Sequence, residues 1–253
     1  MIQTGIYLGK WGVSLSYCRR ALAHAEKLGD LRLRVVGLYR TGSAYIQQGE
    51  TDRGLRYCDE ALALKPIPYD VAMAKVFRGY GLIKAGRPDS GIADLSEAIS
   101  WLERSGLSHV RLPATLRLAE GYLRSGKYAA ARALIADVLS SSQAAGYYYL
   151  EGLANHLMAE CLLIEAPAVA THHVTTAQRI LATVDARNDL AKTLVTRARL
   201  SQSSGDFAEA WGLLEKAKGI FEALGTVDEP HHVNAALAAL DRGSSIRPLG
   251  SVS

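Results

Sequence analysis

The chain repeats itself about every forty residues, and this period limits what it can fold into more than any single motif does. Ser14, Gly54, Gly91, Ala131, Ala170 and Ala210 are separated by 40, 37, 40, 39 and 40 residues. A second series, Ala21, Ala61, Ala98, Val138, Ala177 and Ala217, keeps the same five spacings. Small residues recurring in step at this scale imply stacked units, each burying its apolar face on its neighbours. Such an array offers an extended surface rather than a catalytic pocket.

The unit at 35–66 shows how each repeat is built. Leu38, Gly42 and Tyr45 share one helical face, and Gly49 ends that helix in a conformation glycine tolerates. Gly54, Cys58 and Ala61 share a face of the next helix, which Pro66 closes. Gly42, Gly54 and Ala61 are placed where the two antiparallel helices touch. The pattern returns as Gly79, Leu82, Gly86, Gly91, Leu95 and Ala98, then as Ala119, Tyr122, Gly126, Tyr128, Ala131 and Val138. A last clear copy holds Leu194, Ala198, Gly205, Phe207, Ala210, Leu214 and Ala217. The unit from Tyr149 to Val184 is degenerate: Glu165-Ala166-Pro167 stands where the turn glycine belongs, and Ala159 takes the small slot. Connections between units are expected at Leu28-Gly29-Asp30, Ser105-Gly106, Gly146-Tyr147, Arg187-Asn188-Asp189 and Leu224-Gly225-Thr226.

Leu38, Gly42, Tyr45, Gly54, Ala61 and Pro66 resemble the tetratricopeptide repeat in spacing, with Cys58 in a slot that usually holds a larger residue. The period lies between the roughly 34 residues of that family and the roughly 40–47 of HEAT and armadillo repeats. The turn glycine and paired small slots favour the former. The resemblance implies an all-α, right-handed α-solenoid of antiparallel helix pairs over residues 1–241. Its first repeat is truncated, since only residues 1–8 precede the turn at Gly9; either it is a stump or the chain begins inside a longer protein. A capping helix is expected at about 230–241, with Asp228 as its cap, and a disordered tail at 242–253. The long period and the segment Phe221-Glu222-Ala223-Leu224-Gly225-Thr226 are similar to the C-terminal repeat regions of multidomain bacterial regulators. These include signal-transduction NTPases, nucleotide cyclases and LuxR-type activators. In such proteins the repeats act as a sensor or partner-binding arm.

The residues offer no catalytic set. HExxH, CxxC and nucleophile-elbow motifs are absent. Gly5-Ile6-Tyr7-Leu8-Gly9-Lys10 falls one residue short of a phosphate loop and lacks its Ser/Thr. His172-His173 and His231-His232 are adjacent pairs, which point about 100° apart on a helix and do not chelate one metal. No enzyme activity, cofactor or metal is therefore expected. The net charge is +4, and residues 1–66 alone hold ten Lys/Arg against six Asp/Glu. That mild bias is not the dense stripe of a nucleic-acid binder, and no apolar run approaches the length of a membrane span. Cys18, Cys58 and Cys161 read as reduced, small core residues of a cytoplasmic protein.

In the tetratricopeptide family the first helix of each repeat lines the concave groove. The resemblance carries that role to Val36, Tyr39 and Ser43, then Met73, Val76 and Tyr80, then Leu116 and Glu120, then His156 and Glu160, then Lys192, Val195 and Arg199. The first half is apolar and would suit an apolar side chain or an amphipathic partner helix; the second is polar and mixed in charge. Glu120, Glu160 and Arg199 occupy equivalent slots and neutralise one another as a ladder, although Glu120, His156 and Glu160 could in principle hold a metal. At the positions with which some family members clamp a partner's terminal carboxylate stand Tyr39, Ser43, Phe77, Pro113 and Arg117; only Arg117 fits, which argues against chaperone-tail binding. One or two rings of Tyr147-Tyr148-Tyr149 are expected to fill a joint between repeats. The expected function is a non-catalytic scaffold or regulatory arm that binds a protein or peptide segment in the groove. A second copy or an upstream domain could pair at the N-terminal end. The alternative is a small-ligand or peptide sensor module of a larger signalling protein.

Overall fold

The structure is a computed structural model that describes residues 2–244. The proposed tail therefore lies largely outside the described residues, at 245–253. Among the described residues thirteen α-helices follow in chain order and there is no strand. They are α1 (Ile2–Tyr7), α2 (Trp11–Leu28), α3 (Leu31–Gln48), α4 (Thr51–Ala63), α5 (Pro68–Lys84), α6 (Pro88–Arg104) and α7 (Ser108–Arg124). Next come α8 (Tyr128–Ala145), α9 (Tyr148–Leu162), α10 (Pro167–Thr183), α11 (Arg187–Ser203), α12 (Phe207–Leu224) and α13 (Glu229–Ser244). Each helix packs most heavily on its chain neighbours, so the molecule is the stacked all-α solenoid that the period implies.

Local chemistry sets most boundaries. Gly29, Gly49, Gly146 and Gly225 take the left-handed conformation at the ends of α2, α3, α8 and α12. Asp30 and Asp206 cap α3 and α12, accepting hydrogen bonds from the backbone N–H of Leu33 and Glu209 at 2.9 Å. Pro68, Pro88 and Pro167 start α5, α6 and α10, where a missing N–H costs nothing. The connection expected at Arg187-Asn188-Asp189 lies slightly earlier. Asp185 turns the chain with φ 54°, and Arg187 already opens α11.

The paired small residues bring the helices of a repeat into backbone contact. A Cβ on Gly54 would lie 2.6 Å from the Gly42 carbonyl oxygen, and one on Gly91 would lie 2.5 Å from that of Gly79. All six members of the first small series are buried, as are Ala61, Ala98, Val138, Ala177 and Ala217 of the second. The apolar interior runs along the solenoid as successive clusters: one centred on α3–α7, one on α7–α11 and one on α11–α13. Helix α13 closes the last, burying Val233, Leu237 and Leu240 against Leu214 and Phe221. At its start the Asp228 carboxylate accepts from the Glu229 N–H at 3.0 Å.

The solenoid curves until its ends meet. The backbone N–H of Val227 donates to the Gln48 carbonyl at 2.7 Å, and Gln48 Nε2 donates to the Gly225 carbonyl at 3.2 Å. Lys84 Nζ pairs with Asp228 at 2.7 Å and also donates to the Ile46 carbonyl at 3.2 Å. Across the interior, the ring of Tyr7 lies 4.3 Å from that of Tyr149. The concave groove is thereby drawn into a walled cavity.

Candidate binding cavity on the concave face

Every residue lining this cavity comes from α1 or from the odd-numbered helices α3 to α13, the series that begins each pair. Its volume is about 160 Å³. Leu116, Leu150, Leu153 and Leu157 give an apolar wall. Lys84, Arg117, Arg124 and Lys192 bring four cationic groups, and Glu120, Glu160, Asp189 and Glu229 bring four acidic ones.

These charges are tied into short chains of contacts. Arg124 on α7 donates to Glu120 one turn earlier at 3.1 Å. The Tyr149 hydroxyl donates to Asp189 at 2.9 Å, and Lys192 stands 3.7 Å from the same carboxylate. Thr196 donates to Glu160 at 3.3 Å, and Arg199 approaches Glu160 at 3.8 Å from the rim. Arg117 lays its guanidinium 4.3 Å from the centre of the Tyr80 ring. A stacked guanidinium keeps its N–H edge free for an anion.

Burial sets the electrostatics. It opposes the charge on Lys192, but the Tyr80 oxygen and the carboxylates of Asp189, Glu229 and Glu120 outweigh it and hold the ammonium above the usual lysine range. Burial pushes the Glu120 carboxyl up; Arg124, Lys192 and Lys84 overcome that and hold it below its usual value. The Tyr149 hydroxyl is raised well above the ordinary tyrosine range, chiefly by burial and then by Asp189. At neutral pH Lys192 is thus held charged as an ammonium and Glu120 as a carboxylate.

Of the groove residues expected from the sequence, Tyr80, Leu116, Glu120, His156, Glu160, Lys192 and Val195 come together on this cavity. His156 is buried there with its Nδ1 atom unpaired. The apolar half of the groove lies elsewhere. Tyr39, Met73 and Val76 are 2%, 5% and 3% exposed and belong to the core, with half-buried Val36 packed against it. Ser43 is buried too. The cause is the close packing of α3 along α5, whereas α7, α9 and α11 approach one another less closely. Tyr39 stacks on Phe77 and donates to the buried Asp70 at 3.4 Å, so its polar tip is spent inside the protein. Arg199 is exposed at the rim and not on the wall. Among the described residues no three His, Cys, Asp or Glu side chains are grouped to hold a metal, Glu120, His156 and Glu160 included.

Tyr7, Lys84, Tyr149, Asp189 and Glu229 were not legible as wall residues. Only the tyrosine triplet carried a signal: Tyr147 and Tyr148 are 45% and 64% exposed, while Tyr149 turns into the cavity.

No protein-family model matches the chain, and no curated protein matches it. Solved structures do. A Rap protein complexed with competence and sporulation factor superimposes with a TM-score of 0.76 at 15% identity, over 96% of this chain and 72% of that one. BtubC (BKLC) from P. vanneervenii matches with a TM-score of 0.58 at 16% identity, over 99% of this chain and 96% of that one. At such identities the likeness is one of fold: this chain is a tetratricopeptide-like helical-repeat solenoid.

Proposed function

We propose that the chain is a non-catalytic interaction module that holds a short peptide segment in its concave cavity. The carrying observation is the composition of the wall: four cations and four acids around a leucine surface, contributed by helices from successive repeats. A peptide matches such a wall with its backbone donors and acceptors, its own charges and its apolar side chains. The stacked Arg117 receives a carboxylate of that peptide, and the leucines receive an apolar side chain. The cavity of about 160 Å³ has room for on the order of ten waters. It suits a few extended residues and not a helix, whose diameter is about 10–12 Å. The Rap protein of the same fold is complexed with competence and sporulation factor, which supports a bound factor here. The reading extends to a regulatory arm of a cytoplasmic multidomain bacterial regulator, without nucleic acid or membrane as partner. The small volume favours a second reading, a compact ligand bearing both charges and sensed at the same wall.

The test is a selection from a library of short random peptides, followed by affinity measurements on variants. Leu153→Trp fills the cavity and is expected to weaken a selected peptide at least tenfold. Tyr39→Phe, in the core, is expected to leave affinity unchanged. A peptide at about 100 times its dissociation constant stabilises the fold by about 2.7 kcal/mol, readable as a melting shift. Selected peptides that bind Leu153→Trp as tightly as the parent would place the site elsewhere.

A further inference from the structure

The repeats set equivalent side chains side by side, so the cavity wall is built in rungs. Glu120 and Glu160 belong to one of them. One turn earlier stand Leu116, His156 and Val195, separated by 40 and 39 residues, and all three line the cavity. On α9 itself Leu153 precedes His156 by about one turn and Leu157 follows it directly, and both line the cavity as well. Among these five residues His156 is the one with a hydrogen-bonding side chain. An imidazole stands where its neighbours in register and in sequence are apolar.

His156 is 7% exposed, and its Nδ1 atom is enclosed with no partner. Among the described residues no hydrogen bond reaches either ring nitrogen. Nε2 is not enclosed in the same way, so it is the polar edge that His156 turns to the cavity. A neutral imidazole carries one hydrogen, and an accepting neighbour fixes which nitrogen bears it. Nδ1 has no such neighbour. A buried N–H without an acceptor is the rarer and costlier orphan, a buried lone pair the more tolerable one.

We infer that His156 carries its hydrogen on Nε2 and donates it to a backbone carbonyl oxygen of the bound peptide, at the residue whose side chain lies on the leucine wall. The inference rests on the cavity being the peptide site. An apolar side chain seated on Leu116, Leu153 and Leu157 draws its own backbone against the same wall, where leucines offer no hydrogen bond. A carbonyl placed there without a donor loses the hydrogen bonds that water gave it. His156 supplies that donor. Arg117 bears a charge and pairs best with a carboxylate. The two donors therefore sort the ligand's oxygens, charged to the guanidinium and neutral to the imidazole. A ligand that presents an amine at this point meets a donor where it needs an acceptor.

Two measurements test this. The first needs no peptide: a long-range proton–nitrogen correlation spectrum of protein labelled at histidine, with the His156 signals identified by their loss in His156→Gln. The neutral ring is expected to bear its hydrogen on Nε2, and a hydrogen on Nδ1 overturns the inference. This measurement decides alone where a variant fails to fold. The second takes the tightest peptide from the library selection and compares folded variants. His156→Gln sets an amide nitrogen as many bonds from Cβ as Nε2 and is expected to keep affinity within about threefold. His156→Asn sets its amide nitrogen at the place of Nδ1, and His156→Phe keeps a ring without a donor; each is expected to lose about tenfold or more. Affinity kept in all three overturns the inference, and so does an equal loss in all three, which marks a role in shape alone. Leu153→Trp reports on the cavity whatever His156 does. Binding lost in Leu153→Trp and kept in His156→Phe sinks this inference and spares the cavity, whereas binding kept in both sinks the cavity reading with it.

Discussion

At the scale of single residues, the cysteines show how burial decides chemistry. Cys18, Cys58 and Cys161 are free and buried. Burial pushes the Cys58 thiol up to about 12 and the Cys161 thiol up to about 11, and raises that of Cys18, where the hydrogen bond with Thr41 pulls the other way. The thiolate is the reactive form, and it appears only as pH rises toward these values. At pH 8 a disulfide reagent is expected to find no fast-reacting thiol in the native protein and three in denaturant. One rapidly titrating thiol in the native state would show that a cysteine is more open than its packing indicates. The same scale explains a miss in the sequence reading. Asp185, not glycine, makes the left-handed turn before α11, and aspartate is one of the few other residues that tolerate it. With no glycine to mark it, the sequence pattern places the connection a few residues too late.

At the scale of helices, the small-residue slots carry the structure, and they were the most legible feature of the chain. Two series with the same spacings identified the faces that touch, and Gly42 and Gly54 do meet backbone to backbone. Gly54→Ala is expected to destabilise by about 1–3 kcal/mol, because the added Cβ meets the Gly42 carbonyl and the Ile46 backbone, neither of which can rotate away. Gly219, inside α12, has nothing within 4 Å of its would-be Cβ. Gly219→Ala should therefore stabilise by up to about 1 kcal/mol, through helix propensity and a less disordered unfolded chain. Denaturant melts of the pair decide this; equal shifts would mean that packing does not distinguish the two sites. The groove was only half legible for a related reason. Its positions follow from repeat register, but whether a register position faces a void or a neighbouring helix depends on how closely successive first helices approach. Ser43 and Tyr80 hold equivalent positions in the pattern, 37 residues apart; Ser43 is buried away from the cavity, while Tyr80, although part of the core cluster, also borders it.

At the scale of the molecule, closure of the solenoid is the feature that no local pattern announces. Each repeat adds a small rotation to the one before it, and their sum brings Asp228 to Lys84 and Tyr7 to Tyr149. No spacing in the sequence states that sum. Closure also sets an order of local stability. The Val227 amide, held only by the Gln48 carbonyl at the seam, is expected to exchange with solvent by local opening, while amides within α5, such as that of Phe77, wait for deeper unfolding. Native-state hydrogen exchange measures both. If Val227 is protected as long as Phe77, the seam opens only when the whole protein does.

The hydrogen bond from Gln48 to Gly225 spans 177 residues of chain, and that span gives the closure a place in time. Helix pairs form from neighbours in sequence and can assemble as they are made, whereas a contact of this reach waits for all the chain between its ends. At roughly 5–20 residues per second, the interval on the ribosome between the appearance of Lys84 and that of Asp228 is on the order of ten seconds. Through that interval the charged wall is being built with its last side missing.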